Sequence, residues 1–480
     1  MVTTASAPTR AAESVDLTDV QGNILRGYRK ARVRHLVVQV TDARQARSWI
    51  GAASNGSAMP AITHAGHWGE QAPEVCFNVG MTFAGLKALG VPDATARSLP
   101  ESFQEGMAAR ASRLGDWGAS APEQWLPWFR PGEPVHLIVT MYADTVEAFD
   151  SYERAMMRGA GARAFRVTGR NDGAWFNGDQ VHFGYRDNIS QPRFASVRTP
   201  GKYDDQPTAP LGTVLLGYQT AFEELTWSLP DPPVLGKNGA FNAYRVLEQD
   251  VAAFEAFLDR AAGQLLDNPA ANELLPAGSE AAFGRQVSRL EAMREVVAAK
   301  LMGRWRNGTP LELSPHGPAP QPPVSDTAFD YNDDSGGLRC PLGSHARRCN
   351  PRGGKIVQRV ANYTRRLVRR GVPYGPPFDP ATPNDGIERG LLANFLCGSL
   401  AAQFEAVQYD WINLGLQDPR ISGSNDPLAG ANQEDASWFD IPTSQGSVRL
   451  RGFPRLVRTR GGAYTFLPSL SALRWIASIT

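Results

Sequence analysis

One pattern limits what this chain can fold into: a β-strand followed at once by a capped helix, written three times. Residues 32–40 (RVRHLVVQV) alternate as a strand, and Asp42 then caps a helical stretch over about 43–53. The order returns at 134–142 (PVHLIVTMY), with a helix over about 144–157, and at 241–247 (FNAYRVL), where Asp250 precedes VAAFEAFLDRAAG. A second unit, a strand running into a helix, occurs at 75–90 and again at 391–408. Such an order builds antiparallel sheet with helices on one face. The expected fold class is α+β, as two related ferredoxin-like halves with the split βαβ order. The clearest helix pattern spans 281–302, and the six prolines between Pro310 and Pro323 mark a long shaped loop.

At 480 residues the chain has room for two to four folding units of ~150 residues each. Residues 1–15 read as a disordered tail, 16–205 as the first half and 206–480 as the second. Lys and Arg total 49 against 48 Asp and Glu, a net charge of +1, which argues against a nucleic-acid binder. No apolar run approaches the ~20 residues of a membrane helix, and the N-terminus lacks the apolar core of a signal peptide. A cytoplasmic protein without a membrane partner is expected. The four cysteines, with no C-x-x-C, read as reduced thiols, a Cys340–Cys349 bridge being the lesser alternative.

Among the seven histidines, His35 and His136 sit inside strand patterns and His316 in the proline-rich loop. His64 and His67 form an H-x-x-H without a neighbouring Cys or carboxylate cluster, a weak metal signal. Two histidines stand in denser segments. HFGYRDNISQP (182–192) places Asp187 in a polar turn, either a plain Asx turn or a carboxylate at the mouth of a pocket. CPLGSHARRCNPRGG (340–354) sets His345 beside Arg347, Arg348 and Arg352, a set that suits an iron porphyrin: imidazole as axial ligand, arginine for its carboxylates. A third segment, RRLVRRGVPYG (365–375), completes five arginines within 359–370. These suit either nucleic acid, disfavoured by the net charge, or a fixed positive charge over a developing oxyanion.

Together the three segments resemble the dye-decolorizing peroxidases, a family of heme enzymes, in its larger class. HFGYRDNISQP is similar to the family's G-x-x-D-G signature, GSHARRCNPR to its heme-ligand segment, and LVRRGVPYG to the segment of its distal arginine. DVQGNILRGY (19–28), SFQEGMAARASRLGD (102–116), FNAYRVLEQDVAAF (241–254), QFEAVQYDWIN (403–413) and AYTFLPSLSALR (463–474) resemble further family segments in the right order, so the likeness covers nearly the whole chain. The last glycine of the signature is Asn188 here. Asn is one of the few other residues that tolerates positive φ, so the turn is expected to survive.

The resemblance implies a dimeric-ferredoxin-like fold with heme in the C-terminal half. It implies one non-covalent heme b (protoporphyrin IX iron) per chain, with hydrogen peroxide and an aromatic, phenolic or dye-like donor as substrates. Asp187 becomes the distal acid and base, Arg369 the fixed distal cation and His345 the axial ligand. Arg352 becomes the partner of a heme carboxylate, against a surface arginine. Glu405 becomes the carboxylate behind His345, against a solvated helix carboxylate. Gln191 joins the cofactor-binding set, and Leu392 and Phe395 line the distal pocket, a reading that overlaps with plain core. Two other readings stay open: a heme-dependent oxygenase or oxidase of a biosynthetic pathway, and a heme-binding protein with little turnover. The second is disfavoured because a carrier needs neither Asp187 nor Arg369.

Overall fold

The computed structural model describes residues 14–480, except 69–71, 198–205, 207, 223–224, 321, 355 and 357–360. The expected tail therefore lies almost wholly outside the described residues, as do Arg359 and the boundary at 205.

Eight strands form one antiparallel sheet: β1 (Arg32–Val40), β2 (Cys76–Met81), β3 (Leu137–Ala143), β4 (Phe165–Ala174), β5 (Ala240–Gln249), β6 (Val368–Tyr374), β7 (Gly390–Cys397) and β10 (Val457–Leu467). A separate hairpin joins β8 (Trp438–Thr443) to β9 (Gly446–Arg451). The spatial order β4-β1-β3-β2-β10-β5-β7-β6 repeats one arrangement: within each half the strands run fourth, first, third, second. That is the ferredoxin-like order, present twice, as the recurrent strand–helix pattern implies.

The halves meet where β10 pairs with β2 at Phe466 and Met81. The outer strands β4 and β6 also approach. A Cβ on Gly173 would lie 2.7 Å from the Pro373 carbonyl oxygen, so only glycine lets the sheet curl back on itself there. Apolar side chains such as Val37, Phe77, Met141, Phe241 and Phe466 fill the main core. A second core forms where helix Val251–Leu266 packs on helix Arg289–Met302, burying Phe254, Phe257, Val296 and Val297.

Local signals explain the helix limits. Asp42 and Asp250 cap their helices by accepting from the backbone N–H of Gln45 and Ala253. The helix expected over 281–302 starts only at Arg289. Gly284 is left-handed, at φ +69°, and a capping box between Ser288 and Glu291 resets the start. After β7 the chain forms wide π-helical turns, Leu400–Glu405 and Val407–Asn413, a rare form common at functional sites. Among the described residues, no helix is long and apolar enough to cross a membrane. All four cysteines are free, so the Cys340–Cys349 alternative falls away.

Candidate active site

A cavity of about 340 Å³ lies against the sheet of the second half. Its sheet wall is made mainly by alternate residues, Arg369 and Gly371 on β6, Leu391, Ala393 and Phe395 on β7 and Arg245, Leu247 and Gln249 on β5, with Arg370 and Asn394 also reaching it. Its other wall includes one face of the short helix His345–Cys349, with His345, Ala346 and Cys349. The two-residue period of a strand decides who takes part. Leu392, expected at the pocket, points the other way into the main core, and Leu391 and Ala393 take its place. Phe395 does line the cavity, its ring 5.3 Å from that of Phe404.

Backbone bonds hold the loop that carries Asp187. Gly184 turns it at φ +81°, the Arg186 N–H donates to the Arg306 carbonyl at 2.8 Å, and the Asp187 N–H to the Asp179 carbonyl at 2.9 Å. Asn188 then adopts φ +59°, the conformation expected of the residue that replaces glycine. Asp187 Oδ1 comes within 3.8 Å of Arg369 Nη1. Their side chains are 31% and 44% exposed, so both are open to a ligand in the cavity. Gln191 fixes the arginine's backbone. Its Oε1 accepts from the Arg369 N–H at 3.1 Å and its Nε2 donates to the Arg369 carbonyl at 2.9 Å. The side-chain amide thus stands in for a peptide group on the outer edge of β6.

His345 is oriented from behind by Asp426, which lies 81 residues further along the chain. Its Nδ1 is 2.9 Å from Asp426 Oδ2, and the carboxylate is fully buried. Asp426 Oδ1 accepts from the N–H groups of Leu428 and Ala429, so the turn itself aims Oδ2 at the ring. Burial pushes the two pKa values towards the neutral forms, but the mutual charge prevails. The Cys349 sulfur and the Asp426 carboxylate hold the His345 imidazolium well above the usual histidine range. His345 in turn helps to keep Asp426 below the usual carboxylate range. With Nδ1 committed to Asp426, Nε2 is the atom left to meet a metal.

Glu405 does not serve His345. Its carboxylate accepts from Arg110 Nε and Nη2, each at 2.5 Å, and from the Tyr464 hydroxyl at 2.9 Å. The π-helical turn after β7 sets it outside the cavity wall, against Arg110 in a turn of the first half and Tyr464 on β10. The reason it was mistaken is physical: a buried carboxylate on a helix near the pocket has several cations to choose from, and sequence does not rank them.

Arg352 lines the cavity with φ +43°. It donates to the Thr327 carbonyl at 2.9 Å and stacks over Phe329 at 4.2 Å. Arg366 of the arginine-rich segment joins it in the wall, as does Arg304, which lies outside the segments singled out in the sequence. Burial and the charge of Arg352 lower both pKa values to about 10. This end of the cavity is therefore rich in positive charge and suits an anion.

The remaining histidines have local partners. His182 meets the Tyr374 carbonyl at 2.7 Å, outside the cavity wall, and His64 Nδ1 accepts from the Gly66 N–H at 3.0 Å. Among the described residues, His64 and His67 belong to no metal-binding group.

Comparison with known proteins agrees with this geometry. Residues 19–174 match the family model described as the DyP dimeric alpha+beta barrel domain. The multifunctional dye peroxidase DyP2 of Amycolatopsis sp. is 29% identical, covering 98% of this chain and 97% of its own. Dye-decolorizing peroxidase msp1 of Mycetinis scorodonius is 26% identical, covering 99% and 90%. A solved dye-decolorizing peroxidase in complex with 2,6-dimethoxyphenol superposes with a TM-score of 0.77 at 26% identity, over 97% of this chain and 100% of that one. Over nearly its whole length the chain is similar to dye-decolorizing peroxidases, and its first part matches their dimeric alpha+beta barrel domain.

Proposed function

We propose that the chain is a heme peroxidase that reduces hydrogen peroxide and oxidises aromatic or dye-like donors. One observation carries the reading: a carboxylate-backed histidine and a carboxylate–guanidinium pair share the wall of a single cavity. The residues fit a heme. An imidazole with Nδ1 committed presents Nε2, the walls are largely apolar, and arginines gather at one end. We take the cofactor to be one heme b per chain, held non-covalently because the sequence has no C-x-x-C-H segment. The first half, 16–205, would supply the Asp187 loop and the second, 206–480, the rest of the site.

Heme, when bound, supplies the two-electron chemistry with peroxide. His345 would hold it through Nε2, with Asp426 keeping the proton on Nδ1 and making the ring a stronger donor. Arg352, with Arg304 and Arg366 beside it, would neutralise the cofactor's carboxylates. Asp187 takes a proton from peroxide and returns it to the leaving oxygen, as general base and then acid. Arg369 stabilises the negative charge that grows on that oxygen. Gln191 holds the Arg369 backbone in place, and Phe395 closes the wall with an apolar ring.

The test is product analysis with heme-loaded protein and a phenol or a dye, with and without peroxide. Oxidation that depends on peroxide supports the peroxidase. Oxidation driven by dioxygen alone points instead to an oxygenase or oxidase, and heme binding without turnover points to a carrier.

A further inference from the structure

The group behind the cavity wall has a second chemical capacity. His345, Cys349 and Asp426 bring an imidazole nitrogen, a thiol sulfur and a carboxylate oxygen within 4.8 Å of one another. It is the one such group of His, Cys, Asp and Glu among the described residues. Cys349 follows His345 by one helical turn, and its Sγ lies 4.0 Å from both ring nitrogens. Asp426 Oδ2 is 2.9 Å from Nδ1.

We propose that, in the chain before it takes up its cofactor, these three side chains form a site for a divalent zinc-like ion. Four features favour that class of metal. A thiolate with an imidazole and a carboxylate selects zinc or cobalt(II) over magnesium or calcium. Bonds of ~2.0–2.3 Å in a tetrahedron separate ligand atoms by roughly 3.3–3.8 Å, so shifts of under about 1 Å convert the present spacing into a ligand set. The charges balance: thiolate and carboxylate against a dication, with the Arg348 guanidinium also acting on Asp426. Finally, His345 and Cys349 both line the cavity, which leaves an approach for the ion and a fourth position for water.

The ion takes the place of the proton on Nδ1, and the Cys349 thiol gives up its own proton. The consequence is competition. A metal on Nδ1 draws electron density from the imidazole and removes Asp426 as its hydrogen-bond acceptor. The ring is then a poorer donor at Nε2, so a zinc-loaded chain accepts heme slowly. The inference concerns the heme-free chain and stands apart from peroxidase turnover.

The experiment uses full-length protein produced without heme and stripped with a chelator. Cobalt(II) is added and the absorption followed. One equivalent is expected to give the intense near-ultraviolet charge-transfer band of a cobalt thiolate and visible bands of a four-coordinate ion. Cys349→Ser should lose the charge-transfer band, and Asp426→Asn should weaken binding at least tenfold. In a second arm, one equivalent of zinc should slow hemin uptake at least tenfold in the wild type and leave uptake by Cys349→Ser unchanged. An absent band, or one that persists in Cys349→Ser, overturns the site, and equal hemin uptake with and without zinc overturns the competition. Failure of metal-free protein to bind hemin counts against the heme reading alone, because the cobalt arm still decides this one.

Discussion

Two charged groups of the candidate site, Arg369 in the cavity wall and Asp426 behind His345, ask for different things from their surroundings. Arg369 needs a fixed backbone, which Gln191 gives it, and freedom for its side chain, which the cavity gives it. Arg369→Leu should therefore keep heme and the ferric spectrum while slowing reduction of peroxide by about 10²–10³, measured by rapid mixing. Asp426 acts on the proton of His345. In Asp426→Asn the Oδ1 position can still serve the Leu428 and Ala429 N–H groups, so the amide NH₂ faces Nδ1. The ring must then accept at Nδ1 and carry its proton on Nε2, where iron should bind. Heme affinity should fall about 10–100-fold. Acid stability changes as well. The folded Asp426 has a pKa below its unfolded value of about 3.9, so its ionised form stabilises the fold above that pH. That contribution is lost as pH falls through the folded pKa. The heme-free wild type should lose Tm steeply on that limb, and Asp426→Asn should show a flatter one. Asn188, at φ +59°, separates tolerance from demand. Asn188→Gly should keep stability and heme, whereas Asn188→Val, β-branched in a left-handed turn, should cost ~1–2 kcal/mol by denaturant melting.

At the scale of elements, what packs on what decides which residues matter. Glu405 is a strut between the π-helical turns of the second half and Arg110 of the first. Its side chain is 2% exposed, so Glu405→Leu leaves Arg110 with Glu105 as its remaining carboxylate partner and should cost about 3 kcal/mol of stability. The ferric spectrum of whatever folds should match the wild type, since His345 keeps Asp426. A changed ligation spectrum in that variant would return Glu405 to the role first expected of it. The same comparison shows where sequence stops being informative. Asp187, His345 and Arg369 were legible because each sits in a dense local segment of unusual residues. Asp426 was not, because the turn SGSNDPLAG looks like any Asx turn, and only the tertiary fold brings it to a ring 81 residues away. Leu392 was misplaced by one residue, and in a strand one residue means the opposite face. The caps at Asp42 and Asp250 were legible, whereas the start at Arg289 depends on a capping box inside a pattern that looked helical from 281 onward.

The main sheet is assembled from two copies of the same strand order, with the site gathered on the second copy and the Asp187 loop brought across from the first. The repeat was legible because a strand and its capped helix are local. The seam at Phe466 and Met81, and the approach of β4 to β6 at Gly173, were not, because both join residues hundreds apart or on separate halves. A ligand that binds across such an assembly stabilises all of it. Heme at 100 times its Kd should add about 2.7 kcal/mol, seen as a rise in Tm that His345→Ala lacks. The most direct test of the central claim joins both walls of the cavity in one trace. Heme-loaded wild type, Arg369→Leu and Asp187→Ala are each mixed with one equivalent of peroxide, and the heme absorption is followed. The account predicts a rapid loss of the ferric spectrum in the wild type, slowed by about 10²–10³ in Arg369→Leu and strongly slowed in Asp187→Ala. A ferric spectrum that peroxide leaves untouched, or equal rates in all three proteins, would contradict it.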